Sequence, residues 1–102
     1  MGSKLDRIGD WSNLATQAGY GALQLAELCG VSLRQLERYF KVSFGRPPQD
    51  WLNEACCREA ENLLLNGLSV KAVSHRLGFK QASHFSRFFK QHSGRPPSRV
   101  RR

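Results

Sequence analysis

One stretch of this chain occurs twice, and this internal repeat limits the possible fold more than any other feature. Residues 36–41 (LERYFK) return at 85–90 as FSRFFK, and the GRPP of residues 45–48 returns unchanged at 94–97. Upstream, the two copies are 48 rather than 49 residues apart, because the second copy has one extra residue after its glycine. Such a repeat indicates two copies of one supersecondary unit within the 102 residues.

Each copy is predicted to contain a helix, a glycine turn and a second helix. In the first copy, Gly30 suits the left-handed conformation of a sharp turn. Ser32 is the predicted N-cap of the next helix, and Gln35 completes a capping box with it. Ala26 is a small residue four positions before the glycine, where the second helix must cross the first. This spacing is typical of a helix-turn-helix.

The second copy repeats this arrangement with weaker signals. Ser74 and Gly78 take the places of the small residue and the glycine, and Ser69 is the predicted N-cap of the first helix. The second helix begins after Lys80 or Gln81, where Ser or Asp would be a better N-cap, so we expect its first turn to fray. The Ser74 hydroxyl must find a backbone carbonyl, because it lies at the helix crossing.

The remaining sequence completes an all-α chain of about seven helices. Apolar residues at helical spacing predict a long helix over 48–65 and an N-terminal helix over 5–18, and no convincing strand is present. The predicted organisation has four segments: a vector remnant or disordered start at 1–4, a first helix-turn-helix subdomain at 5–46, a linker helix at 47–67, and a second helix-turn-helix subdomain with a basic tail at 68–102.

The positive charge of the chain is concentrated in the second copy. The formal net charge is +8, and residues 68–102 hold nine Lys or Arg and no Asp or Glu. A basic block of this density attracts a polyanion such as nucleic acid. No apolar run approaches the ~18 residues of a membrane span. Because no signal peptide is apparent either, we expect a cytoplasmic location.

The polar faces of the second helices carry the chemistry of DNA contact. Outward directions follow from about 100° of rotation per residue, with Leu36 and Phe85 as the core directions. The outward residues of the first copy are Arg34, Arg38 and Lys41, flanked by Gln35 and Glu37. Those of the second copy are Ser83, Arg87 and Lys90, flanked by His84 and Ser86. Both faces combine cationic and hydrogen-bonding groups, as base-edge and phosphate contacts require.

Other chemistries find little support in the sequence. Cys29, Cys56 and Cys57 are predicted to be small buried residues, with a redox-sensing thiol as the alternative. The three histidines lack the spacing of a metal site, and no catalytic triad, carboxylate pair or phosphate-binding loop is present. We therefore predict no enzymatic activity, no cofactor and no metal. The aromatic residues stand at core positions, which argues against single-stranded RNA binding.

These motifs resemble the DNA-binding domain of the AraC/XylS transcription regulators over residues 5–100. The resemblance is carried by Ala26, Gly30-Val31-Ser32, Leu36, Arg38, Phe40-Lys41, Gly45, Pro48, Gly78-Phe79, Ser83-His84-Phe85-Ser86-Arg87, Phe89-Lys90, Gly94 and Pro97. It implies two helix-turn-helix subdomains joined by the central helix, with both recognition helices in successive major-groove segments of bent DNA. It further implies a bacterial-type activator that recruits RNA polymerase. We expect the isolated domain to be a monomer.

The resemblance also assigns base contacts to particular residues. Its base-contacting positions are Arg34, Gln35, Glu37 and Arg38 in the first copy and Ala82, Ser83, Ser86 and Arg87 in the second. These agree with the outward faces except at Ala82, which helical geometry places toward the core. The predicted phosphate contacts are Ser32, Lys41, Arg46, Lys80, His84, Lys90 and Arg95.

Three departures from the family pattern fall mainly in the second half. Cys56 replaces an arginine of the linker helix, Ser74 replaces an alanine, and the second recognition helix lacks a good N-cap. We therefore hypothesise that Arg34 and Arg38 of the first copy supply most of the base discrimination, while the second copy adds affinity. The alternative function is a helical protein-interaction module that docks an acidic partner through its basic face.

Overall fold

Six α-helices and two short 3₁₀ helices form the fold in the computed structural model, which describes residues 4–100. The α-helices are α1 (Trp11–Gln17), α2 (Ala22–Cys29), α3 (Leu33–Phe44), α4 (Pro48–Leu65), α5 (Val70–Arg76) and α6 (Ala82–Ser93). The 3₁₀ helices are Lys4–Arg7 and Pro97–Arg99, and no strand occurs among the described residues. The all-α prediction is confirmed, with six α-helices where the sequence predicts about seven.

Two predicted segments lie at the limits of this description. The predicted remnant or disordered start at 1–4 falls outside the described residues except for Lys4, and the last two arginines of the basic tail fall outside them as well. The predicted long helix over 48–65 is confirmed at Pro48–Leu65. None of the described helices is long and apolar enough to cross a membrane.

The N-terminal segment departs from the predicted single helix over 5–18. It forms the 3₁₀ turn Lys4–Arg7 and then α1, which begins only at Trp11. Asp10 sets this start, because its carboxylate accepts a hydrogen bond from the Asn13 amide at 3.0 Å and caps α1. The single-helix prediction is therefore wrong: apolar spacing continues through the capped break and conceals it.

The two predicted glycine turns have the same backbone geometry. Gly30 (φ 69°) and Gly78 (φ 89°) are both left-handed. In each copy the amide of the residue after the glycine donates to a backbone carbonyl, that of the residue four positions before the glycine. The donor and acceptor are 3.1 Å apart in the first copy and 2.9 Å apart in the second. These bonds belong to a Schellman motif, which closes the preceding helix. No atom lies within 4 Å of a Cβ placed on Gly78, so backbone conformation rather than space demands glycine there.

Helix capping differs between the two copies as predicted. Ser32 Oγ accepts a hydrogen bond from the Gln35 amide at 3.1 Å, and Gln35 Oε1 accepts one from the Ser32 amide at 2.9 Å. This complete capping box begins α3. Ser69 caps α5 by accepting from the Ala72 amide at 3.0 Å. Gln81 makes no capping bond with its side chain at the start of α6, so the first turn of α6 has less support than that of α3.

The chain divides into two units, Met1–Ala55 and Cys56–Arg102, and the division falls inside α4. Each unit has its own hydrophobic core. The fully buried side chains of the first core include Ala15, Leu25, Leu36, Phe40 and Leu52. Those of the second core include Ala60, Val73, Phe85 and Phe89. In the second unit the buried Ser74 hydroxyl donates to the Lys71 carbonyl at 2.9 Å, which confirms that it finds a backbone acceptor.

Five aromatic rings cluster in the first unit. The Phe40 ring lies at the centre of the cluster, with centroids 5.0 Å from Trp11, 4.7 Å from Phe44 and 5.7 Å from Trp51. Tyr39 extends the cluster, 5.9 Å from Trp11. The rings meet at tilted or edge-to-face angles, which their quadrupoles favour. The cluster therefore ties α1, α3 and the start of α4 together.

A glutamine of α4 fixes the turn between α1 and α2. Gln49 Nε2 donates to the Tyr20 carbonyl at 3.0 Å, and Gln49 Oε1 accepts from the Ala22 amide at 3.0 Å. The N-cap of α2 is Gly21, which has no side chain, so Gln49 supplies the acceptor that a capping residue normally offers. Tyr20 has φ 61°, an uncommon value for a residue other than glycine, and the bond to Gln49 holds its carbonyl in place.

The cysteines differ in burial. Cys56 and Cys57 are buried as predicted, whereas Cys29 is only half-buried. Burial raises the pKa of the Cys56 thiol to about 12, and the neighbouring Cys57 and Glu59 add to the increase. The thiolate is the reactive form of cysteine, so Cys56 is unsuited to redox sensing near neutral pH.

Two cap substitutions should change stability in opposite directions. Ser32→Ala removes the acceptor for the Gln35 amide and should lower the free energy of unfolding by about 1 kcal/mol. Gln81→Ser supplies the acceptor that α6 lacks and should raise it by about 0.5–1 kcal/mol. Urea denaturation followed by circular dichroism measures both, with Ser12→Ala at an exposed position of α1 as the control. Destabilisation by Gln81→Ser would contradict this account of α6.

Cys56 should be the slowest of the three thiols to alkylate in the folded chain. At pH 8 iodoacetamide should modify the half-buried Cys29 first, because Cys56 is both buried and almost entirely protonated. In urea the three cysteines should react at similar rates, which provides the control. Peptide mass mapping over time gives the rates. Equal rates for Cys29 and Cys56 in the folded chain would show that the Cys56 thiol is accessible and ionised.

Candidate nucleic-acid interface

The outward face of α3 presents the predicted contact residues to solvent. Leu36 and Phe40 are fully buried, and their burial fixes the rotation of α3 about its own axis. The exposed side chains of α3 include those of Arg34, Gln35, Glu37, Arg38 and Lys41. The structure thus brings together all five α3 residues to which the sequence assigns contacts.

The two arginines of this face are available to a ligand. Neither Arg34 nor Arg38 forms an ion pair within residues 4–100, although Glu37 lies between them in the sequence. They stand four residues apart and so lie one helical turn apart on the same face. Each guanidinium offers a planar fork of N–H donors that matches a pair of acceptors. Gln35 is less free, because its Oε1 accepts from the Ser32 amide and only its Nε2 remains to donate.

The corresponding face of α6 has fewer charged side chains. Phe85 and Phe89 are fully buried and orient the helix. The exposed predicted residues are Ser83, His84, Arg87 and Lys90, whereas Ala82 and Ser86 are half-buried. The position of Ala82 agrees with the core-side direction that helical geometry gives it, yet part of this residue reaches the surface at the first turn of α6.

The arginines of the two GRPP segments are held against α4. Arg46 Nη1 lies 2.8 Å from Glu54 Oε2, and Arg95 Nη2 lies 3.9 Å from Glu61 Oε1. Both arginines are predicted phosphate contacts, and each is paired here with a glutamate carboxylate. Both pairs are partly exposed, so each holds its arginine weakly. The spacing of these residues in the sequence does not predict either ion pair.

The remaining predicted phosphate contacts differ in availability. The exposed side chains of Lys41, Lys80, His84 and Lys90 have no fixed partner among the described residues. The hydroxyl of Ser32 already accepts the capping bond from the Gln35 amide. Ser32 can therefore contact a phosphate only as a hydroxyl donor, while its acceptor role stays with the helix.

An open groove lies between α5 and the start of α6, and we call it the α5 groove. Its volume is about 630 Å³, and it is lined by Ser69, Lys71, Ala72, Ser74, His75, Phe79, Lys80, Gln81 and Ala82. No lining residue is acidic. Among these residues the sequence predicts contacts for Lys80 and Ala82 but not for Lys71 or His75. The helical period of α5 predicts that both side chains face outward, because they lie on the side of the helix opposite the buried Val73.

No group of three His, Cys, Asp or Glu side chains within residues 4–100 is arranged to hold a metal ion. The outward faces of α3 and α6 offer cationic and hydrogen-bonding side chains on two amphipathic helices. Such groups recognise base edges and phosphates.

Comparison with known proteins identifies the sequence pattern. A family model described as a helix-turn-helix domain matches residues 25–102. The HTH-type transcriptional regulator RipA of Corynebacterium glutamicum is 35% identical over 75 residues, which are 74% of this chain and 23% of RipA. The transcriptional activator NphR of a Rhodococcus species is 37% identical over 79 residues, which are 76% of this chain and 23% of NphR. The chain therefore spans less than a quarter of the length of these relatives.

Solved structures share the fold. The C-terminal domain of the two-component response regulator yesN from Fusobacterium nucleatum matches with a TM-score of 0.75 and 26% identity, over 88% of this chain and 92% of that domain. A transcriptional regulator with an AraC-type DNA-binding domain, from Chromobacterium violaceum, matches with a TM-score of 0.65 and 26% identity, over 85% of this chain and 88% of that one. The fold, the two outward faces and these matches show that the chain belongs to the AraC-type family of helix-turn-helix DNA-binding domains.

Proposed function

We propose that this chain binds a specific sequence of double-stranded DNA for transcription regulation, with α3 and α6 as recognition helices in successive major-groove segments. The observation that carries the proposal is the outward face of α3, where two unpaired arginines stand opposite a fully buried core. The second helix of a helix-turn-helix enters the major groove of B-DNA. The family consists of DNA-binding domains of regulators and is not a class of enzymes.

The side chains of α3 offer three different base preferences. Arg34 and Arg38 match the O6 and N7 acceptors of guanine, and Glu37 can accept a hydrogen bond from the N4 amino group of cytosine. Gln35 can offer its free Nε2 to an acceptor of a base. Each good bidentate contact discriminates against the wrong base by about 1–3 kcal/mol. The capping box and the aromatic cluster hold α3 firmly, as selective readout requires.

The side chains of α6 are less selective. Ser83 and Ser86 are hydroxyl groups that can pair with either donors or acceptors, and Arg87 is the remaining strong base-contact candidate. Lys41 and Lys90 stand further along their helices, where we assign them to phosphates together with Ser32, Arg46, Lys80, His84 and Arg95. The first unit is therefore expected to provide most sequence discrimination and the second to add affinity.

The same proposal extends to partners and location. NphR is named as a transcriptional activator, so we propose that this chain also acts in activation, with RNA polymerase as a protein partner. We further propose that the domain alone is a monomer and that it acts in the cytoplasm, where a bacterial chromosome is found.

Selection from random duplex DNA at about 150 mM salt tests this function. An enriched site of about 15–20 bp, with two half-sites about one helical turn (~34 Å) apart, is the expected result. A steep salt dependence without an enriched sequence would mean that the chain binds only phosphates. Absence of DNA binding would favour the alternative, a module that docks an acidic protein.

Substitutions in the two recognition helices should have different effects on specificity. Arg38→Ala should reduce discrimination at one base pair of the selected site by about 1–3 kcal/mol, because it removes a bidentate contact. Lys90→Ala should weaken binding to all sequences alike and lower the salt slope by about 1. Arg87→Ala should cost less discrimination than Arg38→Ala.

Titration of each variant against the selected site and single-base variants of it gives these values. Circular dichroism serves as the folding control, since all three side chains are exposed. Equal losses of discrimination in Arg38→Ala and Arg87→Ala would contradict the proposed division between the two units.

A further inference from the structure

The outward face of α5 differs in chemistry from that of α2, its counterpart in the internal repeat. At the offset of 48 residues, Lys71 and His75 of α5 correspond to Leu23 and Glu27 of α2, and all four side chains are exposed. The two positions lie one helical turn apart in each helix, because they are four residues apart. The same place in the fold therefore carries two basic side chains in one unit, and an apolar and an acidic side chain in the other.

The basic pair of α5 lies on a groove that suits an anion. Lys71 and His75 line the α5 groove together with Lys80 from the turn before α6, and the groove has a volume of about 630 Å³. None of its lining residues is acidic, and neither lysine forms an ion pair within the described chain. A depression lined by unpaired cations attracts negative charge.

We propose that the α5 groove holds one phosphate of the DNA backbone, with Lys71 as the main contact and Lys80 and His75 beside it, and that α2 makes no equivalent contact. This inference rests on the proposed DNA binding. Ala82, a predicted base contact, lines the same groove, so a duplex that touches the first turn of α6 runs past its mouth. This adjacency favours a backbone phosphate over a free anion.

The position of α5 in its motif agrees with this assignment. The first helix of a helix-turn-helix crosses the DNA backbone while the second reads the groove. In α2 the same crossing position offers Leu23 and Glu27, of which one cannot bind a phosphate and the other repels it. Contact between the DNA backbone and the first helix of the motif is thus confined to the second unit. This unit also holds most of the positive charge.

The dependence of affinity on salt tests the inference. Lys71→Gln should lower the slope of log affinity against log salt by about 0.9, and the affinity at 0.15 M salt by about fivefold, on every sequence. Lys71→Arg keeps the charge and should keep the slope. Arg76→Gln is the matched control, because it removes the same charge from an exposed α5 residue that does not line the groove, and it should leave the slope unchanged. Glu27→Gln should also leave it unchanged.

A second arm replaces single phosphates of the selected site with uncharged methylphosphonates. One replacement beside the α6 half-site should weaken binding of the original chain by about fivefold and leave binding of Lys71→Gln unaffected, because both changes remove the same contact. Urea denaturation of the variants should show no loss of stability, since Lys71 is exposed.

The outcomes separate this inference from the proposed function. Two outcomes would overturn the groove assignment and leave the proposed function unaffected. One is sequence-specific binding by Lys71→Gln with an unchanged salt slope. The other is an equal loss of affinity at every methylphosphonate position. A steeper slope in Glu27→Gln would overturn the assignment of α2. Binding of inorganic phosphate that depends on Lys71, with DNA binding unaffected, would assign the groove to a free anion. Absence of any DNA binding by the original chain would overturn both proposals.

Discussion

The burial of two residues one turn apart on each recognition helix is the constraint on which the rest of the structure depends. Leu36 and Phe40 on α3, and Phe85 and Phe89 on α6, are fully buried. Each contributes about 1.5–3 kcal/mol of apolar burial, so a rotation of either helix that exposed them would be costly. Side chains about 140–200° away must then face solvent whatever their chemistry. The core sets the orientation of the helix and leaves its outward residues free to differ.

Features set by neighbours in sequence were predictable, and features set by contacts through space were not. The capping box of Ser32 and Gln35 depends on residues three positions apart, and the helical period gave the outward faces. The bond from Gln49 to the Tyr20 carbonyl joins residues 29 positions apart, and the α5 groove forms only when two helices meet. The late start of α1 at Trp11, after the N-cap Asp10, is a local feature that regular apolar spacing concealed.

The two copies have kept one backbone design while their side chains have diverged. Both have the same left-handed turn and the same pair of buried positions on the second helix. The first copy has the complete capping box and the five-ring aromatic cluster. The second has the acid-free, strongly basic surface and an uncapped recognition helix. The same fold can therefore carry a helix that discriminates between bases in one copy and a basic surface that adds affinity in the other. The turn and the core do not depend on the outward residues.

The aromatic cluster has an optical consequence. Both tryptophans, Trp11 and Trp51, and both tyrosines, Tyr20 and Tyr39, fall within the first unit, while the aromatic residues of the second are all phenylalanine. Tryptophan fluorescence therefore reports on the first unit alone, because the second unit contains no tryptophan. Because both units contain helices, far-ultraviolet ellipticity reports on both. The difference between the two signals isolates the behaviour of the second unit without a label.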